Sequence, residues 1–415
     1  MGSPGDATTA ALSNILITQF KQRKFYQLNY NQAPFLGDVI KDTNFGGNNG
    51  RISLRYGSPQ GGSFKLPVAI ANATSSSDVG FLVTAVEDYQ VSGITGKAIA
   101  AGRNDAGAIY NTLKGEFEGS MRNINRSVQI AAWRNGGGQR GQSNAAVTNI
   151  TTKVIQLLEP ADITNFEVSM KIDLSADDGF NQGGALAGVR GNGPLIIVGL
   201  DRGLGTITVD RTINSLTGAT AADFIFRNGD YAGGPAGIQR WVPPLAPIPG
   251  QGLLFGVDQS ADVNRLAGNR YNGLGGNKED TLIFAAALVT REGGTDLTCY
   301  CNNLDYPDLL NSLGTKARYM PSDKGEGVMG FDALMVRGPS GDIKIMTDVN
   351  CPRGNFAMLD METWSLKSMG EFPAILNEDG LKMVRDANAD GYSWRMGGYY
   401  NYGNEAPGYS LWGIW

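Results

Sequence analysis

The chain has 415 residues, of which 58 are glycine, and a formal net charge of −5. Glycine is about twice as frequent as its usual share of about 7%, and the charged fraction of 18% lies below the usual quarter or so, which is typical of a β-rich chain with many loops. The acidic balance provides no global basic field for nucleic acid. Histidine is absent, which excludes Ser-His-Asp and Cys-His catalytic sites and metal sites with imidazole ligands.

Compartment signals are few. No apolar run reaches the roughly 18 residues of a membrane span. The short apolar stretch Leu12–Ile17 has no basic segment before it, so we expect no signal peptide. Three cysteines, Cys299, Cys301 and Cys351, are too few for a disulfide framework and favour a reducing compartment. We expect buried free thiols without a fourth ligand for a metal, with Cys299 and Cys301 on opposite faces of one strand.

The first hundred residues predict an arm followed by a long ribbon. Thr8–Tyr30 is expected to be a helical arm that is broken at Pro34, and Arg51–Tyr56 alternates as a short strand. A stretch of small, polar residues then leads to a second strand, predicted over Phe81–Val91, that runs back along the first. The two-stranded excursion from Arg51 to Val91, which includes the ribbon Gly57–Gly80, has almost no apolar face, and isolated ribbons of this kind are marginal in water. We therefore expect it to become ordered on the surface of a partner.

A single long helix is predicted from Asp105 to Trp133. Its apolar residues recur at steps of three or four, which places them on one face: Ile109, Leu113, Phe117, Met121, Ile124 and Val128. Asn104 or Asp105 can cap its first turn, and Gly136 can take the left-handed conformation at its end. Three internal glycines each cost about 1 kcal/mol relative to alanine, so packing must hold this rod together.

The middle of the chain reads as a small β-unit. Phe166–Leu174 alternates between apolar and polar residues, and further strands are predicted at Leu195–Leu200, Gly205–Arg211 and Phe224–Phe226. Glycine-rich turns separate them, so a barrel-like unit from Pro160 to Tyr231 is the simplest interpretation. The segment Trp241–Gly250 contains four prolines in ten residues and is predicted to be a stiff linker or surface loop.

An α/β portion follows. Helices are predicted at Asp280–Arg291 and Pro307–Leu313, and strands at Leu297–Cys301, Gly327–Arg337 and Ile343–Val349. The aromatic segment Tyr392–Trp415 suits a closing strand.

The motifs that could carry chemistry are weak. Gly136, Gly138 and Gly141 match GxGxxG, but they follow a helix and indicate a C-terminal cap loop. Asp173–Gly179 is similar to a calcium loop, but its glycine is one place late and the twelfth position carries no glutamate, which favours a polar turn. The segment Gly93–Lys97 lacks the spacing of a phosphate loop. No catalytic, cofactor or metal site is predicted.

Acidic pairs and arginines are equally inconclusive. The pairs Asp177/Asp178 and Glu378/Asp379 are expected to be solvated turns, because neighbouring acids do not show the separation across a cleft that a glycosidase needs. Four arginines near the end of the long helix are spaced for weak phosphate contact at most: Arg122, Arg126, Arg134 and Arg140.

Several short motifs, in their order, resemble one family. They are Gly256–Gly268 (GVDQSADVNRLAG), Thr347–Pro352 (TDVNCP), Met358–Leu366 (MLDMETWSL), Asp379–Gly380 and Asn404–Pro407 (NEAP). Together with the extended ribbon before a long helix, they resemble tailed-bacteriophage major capsid proteins with the Hong Kong 97-type fold, over about Asn29 to Trp415. The resemblance implies an α+β fold divided into an N-terminal arm (1–48), an extension loop (49–92), a peripheral domain with the spine helix (93–159), a barrel-like β-rich insertion (160–232), an axial domain (233–345) and a return to the peripheral domain with the C-terminal strand (346–415).

The function implied by this resemblance is structural and not enzymatic. The chain would assemble with itself into pentamers and hexamers of an icosahedral shell around double-stranded DNA, in the cytoplasm of a bacterial host, and would remain in the virion. Portal, scaffold and decoration proteins are further candidate partners, contact with packaged DNA would be weak and non-specific, and no membrane is involved. The ribbon Gly57–Gly80 and the arm Thr8–Tyr30 are the expected interfaces. An encapsulin-like compartment shell and a carboxylate-dependent glycan hydrolase are the alternatives.

Overall fold

The computed structural model describes residues 33–43, 45, 49–97, 106–180, 185–313, 334–339, 341–376, 383–385 and 390–415. The predicted arm Thr8–Tyr30, the helix caps Asn104 and Asp105, and the pair Glu378/Asp379 lie outside these residues. Within the described part of the chain, no helix is long and apolar enough to cross a membrane.

Helices and strands alternate along most of the chain. The helices are α1 Pro34–Asp38, α2 Leu66–Ala71, α3 Ala106–Ala132, α4 Ile238–Trp241, α5 Val263–Ala267, α6 Lys278–Glu292 and α7 Tyr306–Leu313. The strands of the first half are β1 Ile40–Asp42, β2 Asn49–Gly57, β3 Ser77–Thr84, β4 Val86–Thr95, β5 Gln139–Gln142, β6 Val154–Gln156, β7 Lys171–Ser175, β8 Leu195–Asp201, β9 Thr206–Val209 and β10 Phe224–Arg227. Those of the second half are β11 Asn269–Asn272, β12 Leu297–Cys301, β13 Leu334–Gly338, β14 Gly341–Thr347, β15 Asn355–Asp360, β16 Trp364–Ser368, β17 Ala374–Ile375, β18 Val384–Arg385, β19 Gly391–Asn404 and β20 Ser410–Ile414.

The predicted long helix is confirmed as α3. Its expected apolar face is buried at Phe117, Ile124 and Val128, which are at most 4% exposed. Gly136 has the left-handed conformation, with φ of +88°, but it lies four residues beyond the last helical residue. The helix closes earlier, where the Trp133 N–H donates to the carbonyl of Ile130.

One sheet supports α3. Its main strand order is β1-β16-β19-β17, and β4 and β18 also pair with β19. Helix α3 packs against β4 and β19. The predicted returning strand Phe81–Val91 is wrong as a single strand, because the chain changes partner at Ala85: β3 pairs with β2, whereas β4 pairs with β19. Ala85 alone therefore connects the ribbon strand β3 to the sheet strand β4.

The expected barrel-like unit is present. Its strand order is β5-β10-β7-β8-β9-β6, and a bridge between Ser143 and Leu157 joins the two outer strands. Thirteen buried apolar residues fill its interior, among them Ile172, Leu195 and Ile207. The sheet includes two strands from residues 139–156, in addition to those from 160–232.

The predicted strand Phe166–Leu174 is confirmed only at its end, where Lys171–Ser175 forms β7. Residues Pro160–Asn165 form a 3₁₀ turn, which begins with the Glu159 carboxylate accepting a hydrogen bond from the N–H of Ala161. Ser169 then has a positive φ of 70°, and Val168 is 55% exposed. The apolar alternation therefore combines side chains from a turn and a strand, and it does not describe one pleated face.

A third sheet, in the order β11-β20-β15-β12-β14-β13, packs against α6. The predicted helices Asp280–Arg291 and Pro307–Leu313 correspond to α6 and α7, and Leu297–Cys301 is β12. The predicted strand Gly327–Arg337 appears as β13 from Leu334, with residues 327–333 outside the description. The segment Tyr392–Trp415 forms two strands, β19 and β20, which belong to different sheets.

The cysteines are free and buried, as expected. The expectation that Cys299 and Cys301 face opposite ways is wrong: residues two apart on a strand share a face, and both thiols lie in the core beneath α6. Tyr300, between them, faces the other core. Burial raises the pKa of Cys301 to about 12 and that of the other two thiols well above the usual value.

A core of aromatic rings joins the sheets. Phe35 of α1 has its ring centroid 5.9 Å from those of Trp133 and Tyr300 and 5.8 Å from that of Trp364. All four side chains are at most 1% exposed. Aromatic pairs of this kind add about 0.5–1.5 kcal/mol each beyond the area they bury.

Within the barrel, we expect Asp223→Ala to be strongly destabilising. The Asp223 carboxylate is fully buried and accepts hydrogen bonds from Arg190 Nε at 2.9 Å, Arg190 Nη2 at 2.6 Å and the N–H of Thr220. Removing it leaves a largely buried guanidinium without its partner, which costs about 3–5 kcal/mol in the free energy of unfolding. Urea denaturation measures the loss. Glu167→Ala removes an exposed partner of Arg202 and should cost under about 1 kcal/mol; similar losses for both variants would contradict this assignment.

The thiols give a second test. In the native chain they should resist a thiol reagent at mildly alkaline pH, because burial shields them and keeps them protonated. All three should react after denaturation. Metal analysis of the purified protein should find no bound zinc, and stoichiometric zinc would show that the thiols are ligands.

Candidate assembly interface

The base of the ribbon belongs to the core. Ile52 of β2 and Phe81 and Val83 of β3 are at most 5% exposed, and the ring of Phe81 lies 5.0 Å from that of Trp241. The expectation of almost no apolar face is therefore wrong for this part of the hairpin. Arg265 adds a polar brace, since its Nη1 donates to the carbonyl of Tyr56 at 2.6 Å. The hairpin thus leaves the body from an anchored root.

Cross-strand bonds define the ribbon further out. Arg55 donates to the Asp78 carboxylate through Nε at 2.7 Å and Nη2 at 3.2 Å, and both side chains are more than half exposed. The hydrogen bond from Arg55 lowers the pKa of Asp78. Beyond this pair, the N–H of Gln60 donates to the Thr74 hydroxyl at 3.1 Å, and the N–H of Thr74 donates back to the carbonyl of Gln60. These bonds pair the two sides of the ribbon with each other within one chain.

The tip of the ribbon is apolar and uncovered. It contains helix α2, none of whose residues is buried. The exposed fractions are 112% for Phe64, 74% for Leu66, 44% for Val68 and 70% for Ile70. Burying such a side chain fully is worth about 1.5–3 kcal/mol. A cluster of this kind, held away from its own core, is suited to contact another surface.

Other exposed apolar residues lie on the barrel and the third sheet. Exposed side chains on the barrel include Val154 of β6, which lies opposite Thr208 of β9, and Val198 of β8, which lies at the bulge in the pairing of β8 with β9. On α6, Phe284 is 58% exposed and its ring stacks on that of Tyr271. These faces are further candidates for contact between copies of the chain.

Ion pairs connect the barrel to the end of α3 and to β4. Arg134 Nη2 lies 2.7 Å from Asp162 Oδ1, and Arg227 bridges Asp88 of β4 at 3.0 Å and Asp230 at 2.7 Å. Arg140 is buried beside Asp230 at 3.8 Å, and burial lowers the pKa of Arg140 to about 10. Of the four arginines near the end of the helix, Arg134 and Arg140 are thus engaged in internal contacts.

The weak motifs lie largely in turns of the described chain. Gly136 and Gly138 lie in the turn between α3 and β5, both with positive φ. Asp177 and Asp178 lie in a polar turn, where the Tyr231 hydroxyl donates to Asp177 at 2.6 Å and Asn135 Nδ2 donates to Asp178 at 2.6 Å. Burial raises the pKa of Asp178. Among the described residues, no group of acidic or cysteine side chains could hold a metal ion.

Comparison with solved structures identifies the fold. The sequence matches no protein-family profile, and no curated protein shows significant similarity to it. The capsid asymmetric unit of cyanophage A-1(L) superposes with a TM-score of 0.50 at 12% identity, covering 90% of this chain and 89% of the other. The capsid of the native GTA particle gives 0.46 at 8% identity over 92% and 90%, and Mycobacterium phage Bobi gives 0.41 at 9% over 92% and 89%. The similarity to the cyanophage capsid shows that this chain has the Hong Kong 97-type capsid fold, in agreement with the resemblance of its motifs.

The apolar tip gives a direct prediction. Phe64→Ser combined with Leu66→Ser should leave the thermal midpoint of the isolated subunit unchanged, because neither side chain packs on the core. It should weaken association between copies by at least about tenfold, since burial of two such side chains is worth several kcal/mol. Analytical ultracentrifugation measures this. Asn72→Ser, in the same exposed segment, is the matched control, and equal association of all three proteins would show that the tip is not a contact.

Proposed function

We propose that this chain is the major capsid protein of a tailed bacteriophage, which assembles with itself into the pentamers and hexamers of an icosahedral shell around double-stranded DNA. The observation that carries the proposal is the anchored ribbon with an apolar tip, on a capsid fold. The tip has no partner surface in its own described chain, whereas a neighbouring copy at each position of a closed shell would provide one.

The parts of the fold take their roles from this proposal. Residues 1–48 are the N-terminal arm, 49–92 the extension loop, 93–159 the peripheral domain with its spine helix α3, 160–232 the β-rich insertion, 233–345 the axial domain, and 346–415 the return to the peripheral domain. Because β5 and β6 belong to the sheet of the insertion, its boundary moves forward from residue 160 to the start of β5. The internal ion pairs that join the barrel to the end of α3 and to β4 support a subunit that moves as one piece during assembly. The role is structural and not enzymatic, and the site of action is the virion, after assembly in the host cytoplasm.

The acidic composition fits a container. A net charge of −5 avoids strong attraction between the shell and the DNA inside, so that the genome can be released. Portal, scaffold and decoration proteins are proposed as further partners, without an assigned surface on this chain.

Deleting the outer ribbon tests the proposal. Gly57 and Ser77 are paired across the hairpin, so Ser58–Ser76 can be replaced by a short Gly-Ser turn without removing the buried Ile52, Phe81 or Val83. The variant should be soluble and should melt cooperatively, because its core is intact. Electron microscopy should show no closed particles.

The unmodified chain is the reference in the same preparation. Its particles should be closed and should contain nucleic acid; an endogenous enzyme inside them would instead favour a compartment shell. Stable, normal shells from the deletion would refute the role of the ribbon in assembly. An insoluble deletion product would show that the outer ribbon contributes to folding of the subunit.

A further inference from the structure

A groove of about 470 Å³ lies where α3, β4 and the barrel meet. This volume is within the range of about 300–1,000 Å³ that is typical of small-ligand sites. Four cationic side chains line it: Arg126 of α3, Arg140, Lys171 of β7 and Arg227 of β10. The carboxylate in its lining, Glu167, is paired with Arg202 at 3.1 Å. The groove is therefore a concentration of positive charge on an acidic chain.

Two of these cations are already neutralised. Arg227 contacts Asp88 and Asp230, and Arg140 shares Asp230 at the longer distance of 3.8 Å. These two arginines and two aspartates balance one another, and together they hold the barrel on the neighbouring sheet. Arg140 and Arg227 line the groove, but their charge is balanced by these aspartates, so the remaining positive charge of the lining comes from Arg126 and Lys171.

Arg126 and Lys171, by contrast, form no ion pair with the described residues. The guanidinium of Arg126 donates to neutral acceptors, Asn350 Oδ1 at 2.6 Å and Thr164 Oγ1 at 3.0 Å. Asp348 lies behind Asn350, outside the groove lining, and accepts from Asn350 Nδ2 at 2.9 Å. Among the described residues, neither Arg126 nor the exposed Lys171 has a carboxylate within 4.0 Å.

The uncharged part of the lining also suits an anion. Asn123 of α3 and Gln90 of β4 add amide groups beside Arg126. Nη2 of Arg126 also contacts the carbonyl of Thr164 and Asn165 Oδ1, each at 3.4 Å. Its Nε–H has no acceptor among the described residues, and a charge-assisted hydrogen bond from this group suits a phosphate oxygen. Lys171 adds a point charge from the barrel side, so an oxyanion in the groove would be contacted by two cations from elements that are distant in sequence.

We propose that this groove binds phosphate groups of the nucleic acid backbone inside the particle. The proposal rests on the proposed function, because the enclosed DNA is the phosphate source to which each copy would be exposed. One or two phosphates per subunit give weak, sequence-independent contact, repeated over the many copies of a shell. The site therefore tethers DNA locally without a basic chain overall.

Binding of a short DNA duplex to the purified subunit tests this groove. Lys171→Gln should lower the affinity about threefold to tenfold and reduce the slope of log K against log salt by about 0.9, the value expected for one phosphate contact to B-form DNA. Arg126→Gln should have at least the same effect. Arg122→Gln is the matched control, because it removes one positive charge from the same helix at an exposed residue outside the groove, and it should leave binding unchanged.

Each other outcome overturns the assignment. Equal losses for Lys171→Gln and Arg122→Gln would mean that only net charge matters. Competition by inorganic phosphate at the groove, with oligonucleotide binding indifferent to Lys171, would show a site for the free ion. Unchanged DNA binding with loss of closed particles in Lys171→Gln would show that the groove receives a carboxylate from a second copy. Assembly is scored separately by electron microscopy: failure of the unmodified chain to form particles would refute the proposed function, whereas the binding measurements on the variants decide the groove.

Discussion

The structure depends on how the last 25 residues tie two sheets together. Strand β19 pairs with β16, β17, β18 and β4, whereas β20, only six residues later, pairs with β11 and β15 of the third sheet. Tyr402 lies at this junction: its hydroxyl donates to the carbonyl of Val128 in α3, and its own carbonyl accepts from Trp241 Nε1. The long helix, both sheets and the root of the ribbon therefore share one buried core, and a displacement of one element would disturb the others.

This shared core fixes the direction in which the ribbon leaves the body of the subunit. A hairpin anchored only by turns would change direction freely and would lose entropy on docking. Here Phe81 packs on Trp241, and Arg265 holds the carbonyl of Tyr56, so the direction of the hairpin is set before any neighbour is met. The apolar tip is then presented at a defined position. Under the proposed function, pre-organisation of this kind favours repeated identical contacts, which a closed shell requires.

Local patterns in the sequence predicted the elements that are held by their own neighbours in sequence. Helix α3 follows from its apolar spacing, and α6 from its periodicity and its terminal Gly293, which is left-handed. Prediction failed where the secondary structure depends on pairing or packing with a segment that is distant in sequence. The strand expected over Phe81–Val91 divides at Ala85, because β19 provides a second edge. The alternation in Phe166–Leu174 spans a turn at Val168 and Ser169 and the start of β7. The ribbon itself was located correctly, but its buried base depends on Trp241, far away in sequence.

The same limit applies to charge. Composition alone described an acidic chain, and four arginines near the end of the helix looked too sparse for a site. The fold separates them by role: Arg134 and Arg140 hold the barrel, whereas Arg126 is left with neutral partners. Lys171 reaches the same groove from the barrel, 45 positions further along the chain. The net charge of the chain controls its attraction to DNA at long range, and salt screens this attraction beyond about 10 Å. A phosphate in the groove would instead contact Arg126 and Lys171 directly. An acidic shell protein can therefore repel DNA as a whole and still hold single phosphates at chosen points.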